Sequence, residues 1–268
     1  MVRVGLVGCG TIGSRLAQVI ERRYRRAARM AALHDADLTH AQALQRRLSS
    51  RPPIVSLSAL IRRSHLVIEA ASGPIAPVVV RQALAAHRNV FVMSVGGLLR
   101  DHTWRRLARR SRGRVYIPSG ALAGLDGVKA LAQGRVRRVT LTSRKPPQAL
   151  ADAPYVRRRG LRLGRLTKPS VLFEGSASAA VTAFPQNTNV AAALVLASGV
   201  SVQRVRVRVV ADPLIRVNVH ELELHGDIGC VRCRVESRPS VNPRTSELAI
   251  RSALVTLAQL FEPIRVGT

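Results

Sequence analysis

The stretch VRVGLVGCGTIG, residues 2–13, decides the fold. It opens with a short apolar run that predicts a buried β-strand, and three glycines in a G-x-G-x-x-G pattern follow. The next segment has helical apolar spacing, and a second apolar run, MAALHDAD (30–37), contains Asp35. This order of strand, glycine turn, helix, strand and acid is typical of a dinucleotide-binding unit.

Each glycine of the turn has a physical role in such a unit. Gly8 permits the tight turn, Gly10 lets the backbone approach a pyrophosphate, and Gly13 lets the helix pack closely on the strand. The helix N-terminus offers N–H groups and the positive end of its dipole, so Thr11 and Ile12 are predicted cofactor contacts as well. An ordinary strand–helix turn also contains glycines, but the position of the pattern between a strand and a helix favours the dinucleotide.

Asp35 stands 22 residues after the last of these glycines. Its carboxylate is expected to accept hydrogen bonds from the adenosine ribose hydroxyls, and it favours NAD because it repels the 2′-phosphate of NADP. His34, His40 and the arginines of the first helix weaken this preference. The predicted cofactor is therefore NAD or NADP, with NAD favoured.

Strand-like and helix-like segments alternate up to about residue 120, which predicts a Rossmann-type doubly wound parallel sheet. Beyond it, the run 136–147 and three consecutive runs near the C-terminus alternate apolar and polar residues. Adjacent alternating strands favour an antiparallel sheet with one packed face. The expected class is thus α/β, with a dinucleotide-binding domain over 1–120 completed by a helix within 243–268. A second α+β domain over 121–242 is expected to carry a mainly antiparallel sheet.

The chain has 268 residues and a formal net charge of +28, from 43 Lys+Arg against 15 Asp+Glu. Such a charge is compatible with a polyanion partner, but the basic residues are spread along the chain and are not interleaved with aromatic residues. Only nonspecific contact with nucleic acid is expected. The N-terminus lacks the pattern of a signal peptide, and the apolar runs are too short to span a membrane, so a cytoplasmic protein is predicted.

Cys230 and Cys233 form a C-x-x-C within an alternating run. Positions three apart on a strand point to opposite faces, so a structural role is favoured over a redox or metal pair. The sequence shows no other metal-ligand spacing, and no metal is expected at the site.

Several segments together resemble the L-aspartate dehydrogenase family. They run in order along nearly the whole chain: VGCGTIG, EAAS, SVGGL, PSGALAGLDG, TSRKPP, FEGSA, FPQNTNVAAALVLA, ADP, NVHELELHGDIG and NPRTSELA. The resemblance implies NAD(P)-dependent oxidation of L-aspartate to iminoaspartate, which hydrolyses to oxaloacetate and ammonia or enters NAD biosynthesis through quinolinate. It also implies a homodimer in which the second domain, 121–242, builds the substrate pocket and the dimer contact. Dinucleotide contacts are implied at Ala121 and Asn189.

The resemblance further implies that His220, in the NVHE segment, is the catalytic histidine. From the residues alone, a single histidine on an apolar strand face is more often a buried core residue. The chemistry favours a base, because oxidation of an amine requires removal of an ammonium proton and a histidine has a suitable pKa. His220 shares its predicted face with Asn218.

A dicarboxylate substrate needs cations or helix N-termini to hold it. Arg144 and Lys145 are the candidate pair, although charged loop residues are often solvated, and Asn218 is a further candidate. Thr245 and Ser246 either contact substrate or cap the last helix.

Two other functions remain open at this stage. One is another Rossmann dehydrogenase or reductase acting on a small amino-acid-derived dicarboxylate. The other is a non-catalytic nucleic-acid-binding protein on the same scaffold.

Overall fold

The computed structural model describes residues 1–185, 188–238, 240 and 246–267. The chain divides into two compact units. The first comprises Met1–Pro118 and Ala253–Arg265, and the second comprises Ser119–Ser252 and Val266–Thr268. Each unit is built around its own five-stranded sheet.

The sheet of the first unit is entirely parallel, in the order β2-β1-β3-β4-β5. Its strands are β1 (Val2–Val7), β2 (Ala28–His34), β3 (Leu66–Glu69), β4 (Asn89–Val92) and β5 (Val115–Tyr116). The predicted doubly wound parallel sheet is confirmed. The last strand ends at Tyr116, since Pro118 lacks a backbone N–H and Gly120 turns the chain with a φ of +67°.

Five helices connect these strands: α1 (Thr11–Arg23), α2 (Leu38–Arg47), α3 (Leu57–Arg63), α4 (Ala76–Ala85) and α5 (Thr103–Arg110). Leu16 and Ile20 of α1 are fully buried against Leu6 of β1, which explains the apolar spacing after the glycine turn. The last helix, α10 (Glu247–Phe261), contributes Ala253 and Leu257 to the same core.

The second unit carries a mixed sheet in the order β10-β9-β6-β8-β7. Its strands are β6 (Val136–Lys145), β7 (Ser170–Ser176), β8 (Val205–Ala211), β9 (Asn218–Gly226) and β10 (Cys230–Ser237). Its helices are α6 (Leu125–Leu131), α7 (Pro154–Arg158), α8 (Ala177–Ala183) and α9 (Asn189–Ser198).

The predicted, mainly antiparallel character of this sheet is confirmed. Among its described strands, three neighbouring pairs are antiparallel, and β6 and β8 pair in parallel. Although β8 and β9 are consecutive in sequence, they are not neighbours in the sheet, because β6 lies between them. An alternating pattern specifies which face of a strand is buried but not which strand lies beside it.

In the part of the chain that the structure describes, no helix combines the length and the apolar character needed to cross a lipid bilayer.

Candidate functional site

The glycine turn of the first unit has the close contacts predicted for it. Gly8 has a φ of +94°, and a Cβ there would collide with the backbone of Ala70 and Ala71. A Cβ on Gly13 would overlap the carbonyl oxygen of Gly8, so only glycine lets α1 approach β1 this closely. The sequence pattern therefore predicted correctly why positions 8 and 13 require glycine.

Gly10 differs from its two neighbours in the pattern. A Cβ at this position would meet no protein atom within 4 Å, so the space beside it is open. Gly10 also precedes α1, and no described side chain caps the amide groups of the first turn. Thr11 is exposed there and Ile12 is half-buried. An open cradle beside bare helix N–H groups fits the pyrophosphate of a dinucleotide.

Asp35 follows β2 and is tied to the same turn. One carboxylate oxygen accepts a hydrogen bond from the Cys9 N–H at 2.6 Å, and the other accepts one from the Asp37 N–H at 3.0 Å. Each carboxylate oxygen has a further lone pair, so the half-buried Asp35 can still accept from a ribose hydroxyl.

Glu69, at the end of β3, is a fully buried acid. Its carboxylate accepts hydrogen bonds from the Ala71 N–H at 2.9 Å, and from the N–H and hydroxyl of Ser94 at 2.9 and 2.8 Å. Burial raises its pKa, and these donors act in the opposite direction. Glu69 thus joins the loops that follow two adjacent parallel strands, where ligands bind in such sheets. The sequence signal for Glu69 is an acidic residue at the end of an apolar, strand-like run.

The second unit contains a buried polar cluster on one face of β6 and β9. His220 is 3% exposed and pairs in register with Ser143 on the neighbouring antiparallel strand. The Ser143 hydroxyl lies 3.0 Å from Nδ1 of His220. Asn218, two residues before His220, is also buried, as its predicted face requires. Ser143 was missed because a serine in an alternating strand carries no distinctive signal.

The structure separates the predicted cationic pair. Arg144 and Lys145 are consecutive in β6, so their side chains point to opposite faces. Lys145 is buried on the His220 face, whereas Arg144 makes an ion pair of 3.1 Å with the buried carboxylate of Asp212. The guanidinium of Arg144 is therefore already paired with a carboxylate of the protein.

Burial sets the protonation of the two basic groups in this cluster. Burial lowers the pKa of Lys145 to about 8, so this amine is charged at neutral pH. Burial and the charge of Lys145 lower the pKa of His220 to about 3. His220 is consequently a neutral imidazole with one nitrogen lone pair, the form that can accept a proton.

Other predicted site residues also lie in the second unit. Ala121 is buried in the loop before α6, and Asn189 is the exposed first residue of α9. Ser246 donates a hydrogen bond to Ser237 at 2.9 Å, which ties the start of α10 to the end of β10. Thr245 lies outside the described residues.

The two cysteines of the C-x-x-C point to opposite faces of β10, as predicted. Cys230 is exposed, whereas the Sγ of Cys233 fills the space that a Cβ on Gly124 would need. Both thiols are free, so the motif forms no disulfide.

Two family models match the chain. Residues 126–260 match the model described as "Aspartate dehydrogenase, C-terminal", and residues 8–118 match "Homoserine dehydrogenase, NAD binding domain". An L-aspartate dehydrogenase of Methanosarcina barkeri is 41% identical over 273 residues, covering all of both chains. An L-aspartate dehydrogenase 3 of Bordetella bronchiseptica is 37% identical over 265 residues, covering 99% of this chain and 97% of the relative.

Comparison with solved structures also finds an aspartate dehydrogenase. The aspartate dehydrogenase from Thermotoga maritima aligns with a TM-score of 0.72 and 26% identity over 100% of both chains. A homoserine dehydrogenase from Thiobacillus denitrificans aligns with a TM-score of 0.58 and 15% identity, covering 99% of this chain and 75% of the other. The latter likeness concerns the fold alone.

Proposed function

The chain belongs to the L-aspartate dehydrogenase family, and from that premise we propose that it oxidises L-aspartate to iminoaspartate with NAD or NADP. The observation that carries the proposal is the buried set formed by His220, Ser143 and Lys145 in the second unit. It places a neutral base and a cation on one face of the sheet, as an amino dicarboxylate requires.

We propose that the glycine turn and Asp35 hold the dinucleotide. The open space beside Gly10 and the uncapped first turn of α1 accept the pyrophosphate, and Asp35 accepts from the ribose hydroxyls. When bound, the nicotinamide supplies the hydride acceptor. Asp35 favours NAD, because a 2′-phosphate beside its carboxylate would be repelled. Ala121 and Asn189 are further proposed contacts from the family resemblance.

Lys145 is proposed to hold a substrate carboxylate. It is charged at neutral pH and buried, so its charge is little screened and attracts an anion strongly. Asn218, on the same face, is proposed to add a hydrogen-bond donor. Arg144 is a weaker candidate than the sequence predicted, because a substrate carboxylate would have to compete with Asp212 for its guanidinium.

His220 is proposed to accept the ammonium proton of the substrate. If Nδ1–H donates to the Ser143 hydroxyl, the lone pair lies on Nε2 and is available as the base. The nearby Lys145 charge makes the free imidazole weakly basic. A bound carboxylate offsets that charge and raises the pKa of His220, so substrate binding itself strengthens the base.

Steady-state kinetics with L-aspartate, L-glutamate, L-alanine and homoserine, each with NAD and NADP, tests the activity. Turnover of L-aspartate is expected to exceed that of the others. Turnover of another of these substrates, without turnover of L-aspartate, would refute the proposed substrate.

The role of His220 is tested by His220→Ala. Turnover should fall at least ~100-fold if acid–base catalysis is lost, while NAD affinity stays close to that of the wild type. The matched control is His225→Ala on the same strand, which removes a histidine from the opposite face. Unchanged turnover in His220→Ala would rule out the assignment.

We also propose a homodimer located in the cytoplasm, as expected from the resemblance and the sequence. The charge of +28 is proposed to draw anionic substrate and cofactor at low salt and to bind nucleic acid only nonspecifically. Sedimentation measures the oligomeric state, and the salt dependence of kcat/KM measures the electrostatic attraction.

A further inference from the structure

Three side chains with metal-ligating atoms converge on the face of the second sheet opposite to His220. Glu223 and His225 are two residues apart on β9, and Cys230, the first residue of β10, pairs in register with His225. The Oε1 of Glu223 lies 2.6 Å from Nε2 of His225, and the Sγ of Cys230 lies 3.8 Å from the same nitrogen. All three ligand atoms lie within 4.8 Å of one another.

We propose that Glu223, His225 and Cys230 bind a borderline-soft divalent cation of the Zn²⁺ type. The inference is independent of the proposed dehydrogenase activity. Thiolate, imidazole and carboxylate are the donors that Zn²⁺ takes in proteins, at distances of about 2.0–2.3 Å. Those distances place tetrahedral donors roughly 3–4 Å apart, so the cluster needs only a small opening between Glu223 and His225.

The contacts of His225 Nε2 show why a cation suits this place. Glu223 presents a carboxylate oxygen to this nitrogen, which requires an N–H, whereas Arg138 presents an N–H at 3.1 Å, which requires a lone pair. One nitrogen cannot satisfy both neighbours. A cation held by the Nε2 lone pair and by the Glu223 oxygen removes the conflict, provided that Arg138 turns away.

Two arginines are the competitors of the metal. Arg138 contacts His225, and Arg232 donates to Glu223 at 2.9 Å. Their side chains are 61% and 72% exposed, so both can rotate into water at small cost. A carboxylate and a thiolate carry two negative charges, which a divalent ion neutralises. The displaced guanidinium groups then lie close to a neutral centre.

The site has structural consequences for the hairpin. Its ligands come from both strands and bracket residues 227–229, so the metal would link the end of β9 to the start of β10. The exposed side of Cys230 leaves a fourth position open to water. The hairpin is therefore expected to become more resistant to unfolding when the metal is bound.

The test titrates tag-free, metal-stripped full-length chain with Zn²⁺ by calorimetry and with Co²⁺ by absorption. One equivalent of either ion is expected, with a thiolate-to-cobalt charge-transfer band. Cys230→Ser should abolish the band and weaken Zn²⁺ binding at least ~10-fold. The matched control, Cys233→Ser, alters a thiol three residues away on the other face and should leave both unchanged.

A second variant tests the competition. Arg138→Gln removes a cationic competitor while leaving every proposed ligand in place, so Zn²⁺ affinity should rise. The proposal is overturned if wild type binds less than one equivalent, or if Cys230→Ser and Cys233→Ser bind equally. Folding of each variant is checked by circular dichroism, so that a lost site is not confused with lost structure.

Discussion

The hydroxyl of Ser143 lies 3.0 Å from Nδ1 of His220, between neighbouring antiparallel strands of one sheet, and both side chains are buried. A serine hydroxyl can donate or accept, so it can hold either tautomer of the imidazole. In either tautomer this hydrogen bond holds Nδ1 of the ring toward β6. Ser143 therefore orients the proposed base without contacting substrate in our mechanism.

Replacing Ser143 with alanine should lower kcat more than it changes the KM for L-aspartate. Loss of one hydrogen bond corresponds to about 0.5–1.5 kcal/mol, which predicts a fall of roughly 2- to 13-fold. Thr142→Ala is the matched control, because Thr142 is the preceding residue of β6 and points to the opposite face. An equal effect of both variants on kcat would contradict a positioning role for Ser143.

The glycines of the turn should separate cofactor binding from folding. Gly10→Ala adds a methyl group to open space, so the melting temperature should stay near that of the wild type while NAD affinity falls. Gly13→Ala forces a methyl group onto the Gly8 carbonyl and should lower the melting temperature. Calorimetric titration and thermal melts measure the two effects. Unchanged NAD affinity in Gly10→Ala would show that the cofactor does not approach this residue.

Glu69→Gln should loosen the two loops that this carboxylate joins. The amide group of glutamine keeps only one acceptor oxygen. Because the Ala71 N–H and the Ser94 N–H donate to different oxygens of Glu69, one of these two donors would face an N–H₂. Each unmatched buried group costs about 1–3 kcal/mol, so the free energy of unfolding should fall by that order. NAD affinity, measured well below the melting temperature, should also fall. An unaltered affinity would mean that Glu69 acts on stability alone.

Much of the fold followed from local sequence patterns. The glycine turn followed from steric contacts close in sequence, and the parallel sheet followed from the alternation of strand-like and helix-like segments. The opposite faces of Cys230 and Cys233 followed from the period-two alternation of a strand. The position of β6 between β8 and β9 did not follow, because strand order depends on long-range pairing.

Some residues of the candidate site could likewise be proposed from the sequence, and others could not. The family resemblance and the chemistry of amine oxidation made His220 a candidate, and the need to hold a dicarboxylate made Arg144 and Lys145 candidates. The ion pair of Arg144 with Asp212 could not be predicted, because Asp212 is far away in sequence. Ser143 could not be predicted as a site residue from the sequence, because its partner His220 lies 77 residues away.

The buried state of His220 should make stability depend on pH. Burial and the Lys145 charge lower the pKa of His220 from its ordinary value of 6.5 to about 3. Between these values the unfolded chain binds a proton that the folded chain does not, so acid favours unfolding. The contribution of the neutral imidazole is complete above pH 6.5 and is lost as the pH falls toward 3.

His220→Gln removes this titration while retaining a polar side chain of similar size. Urea unfolding of wild type and variant across pH 4–7 should therefore show wild type losing stability relative to the variant as pH falls. His40→Gln is the control, because it removes a histidine whose side chain is 61% exposed. A constant difference between wild type and His220→Gln across this range would show that the imidazole is not buried in its neutral form.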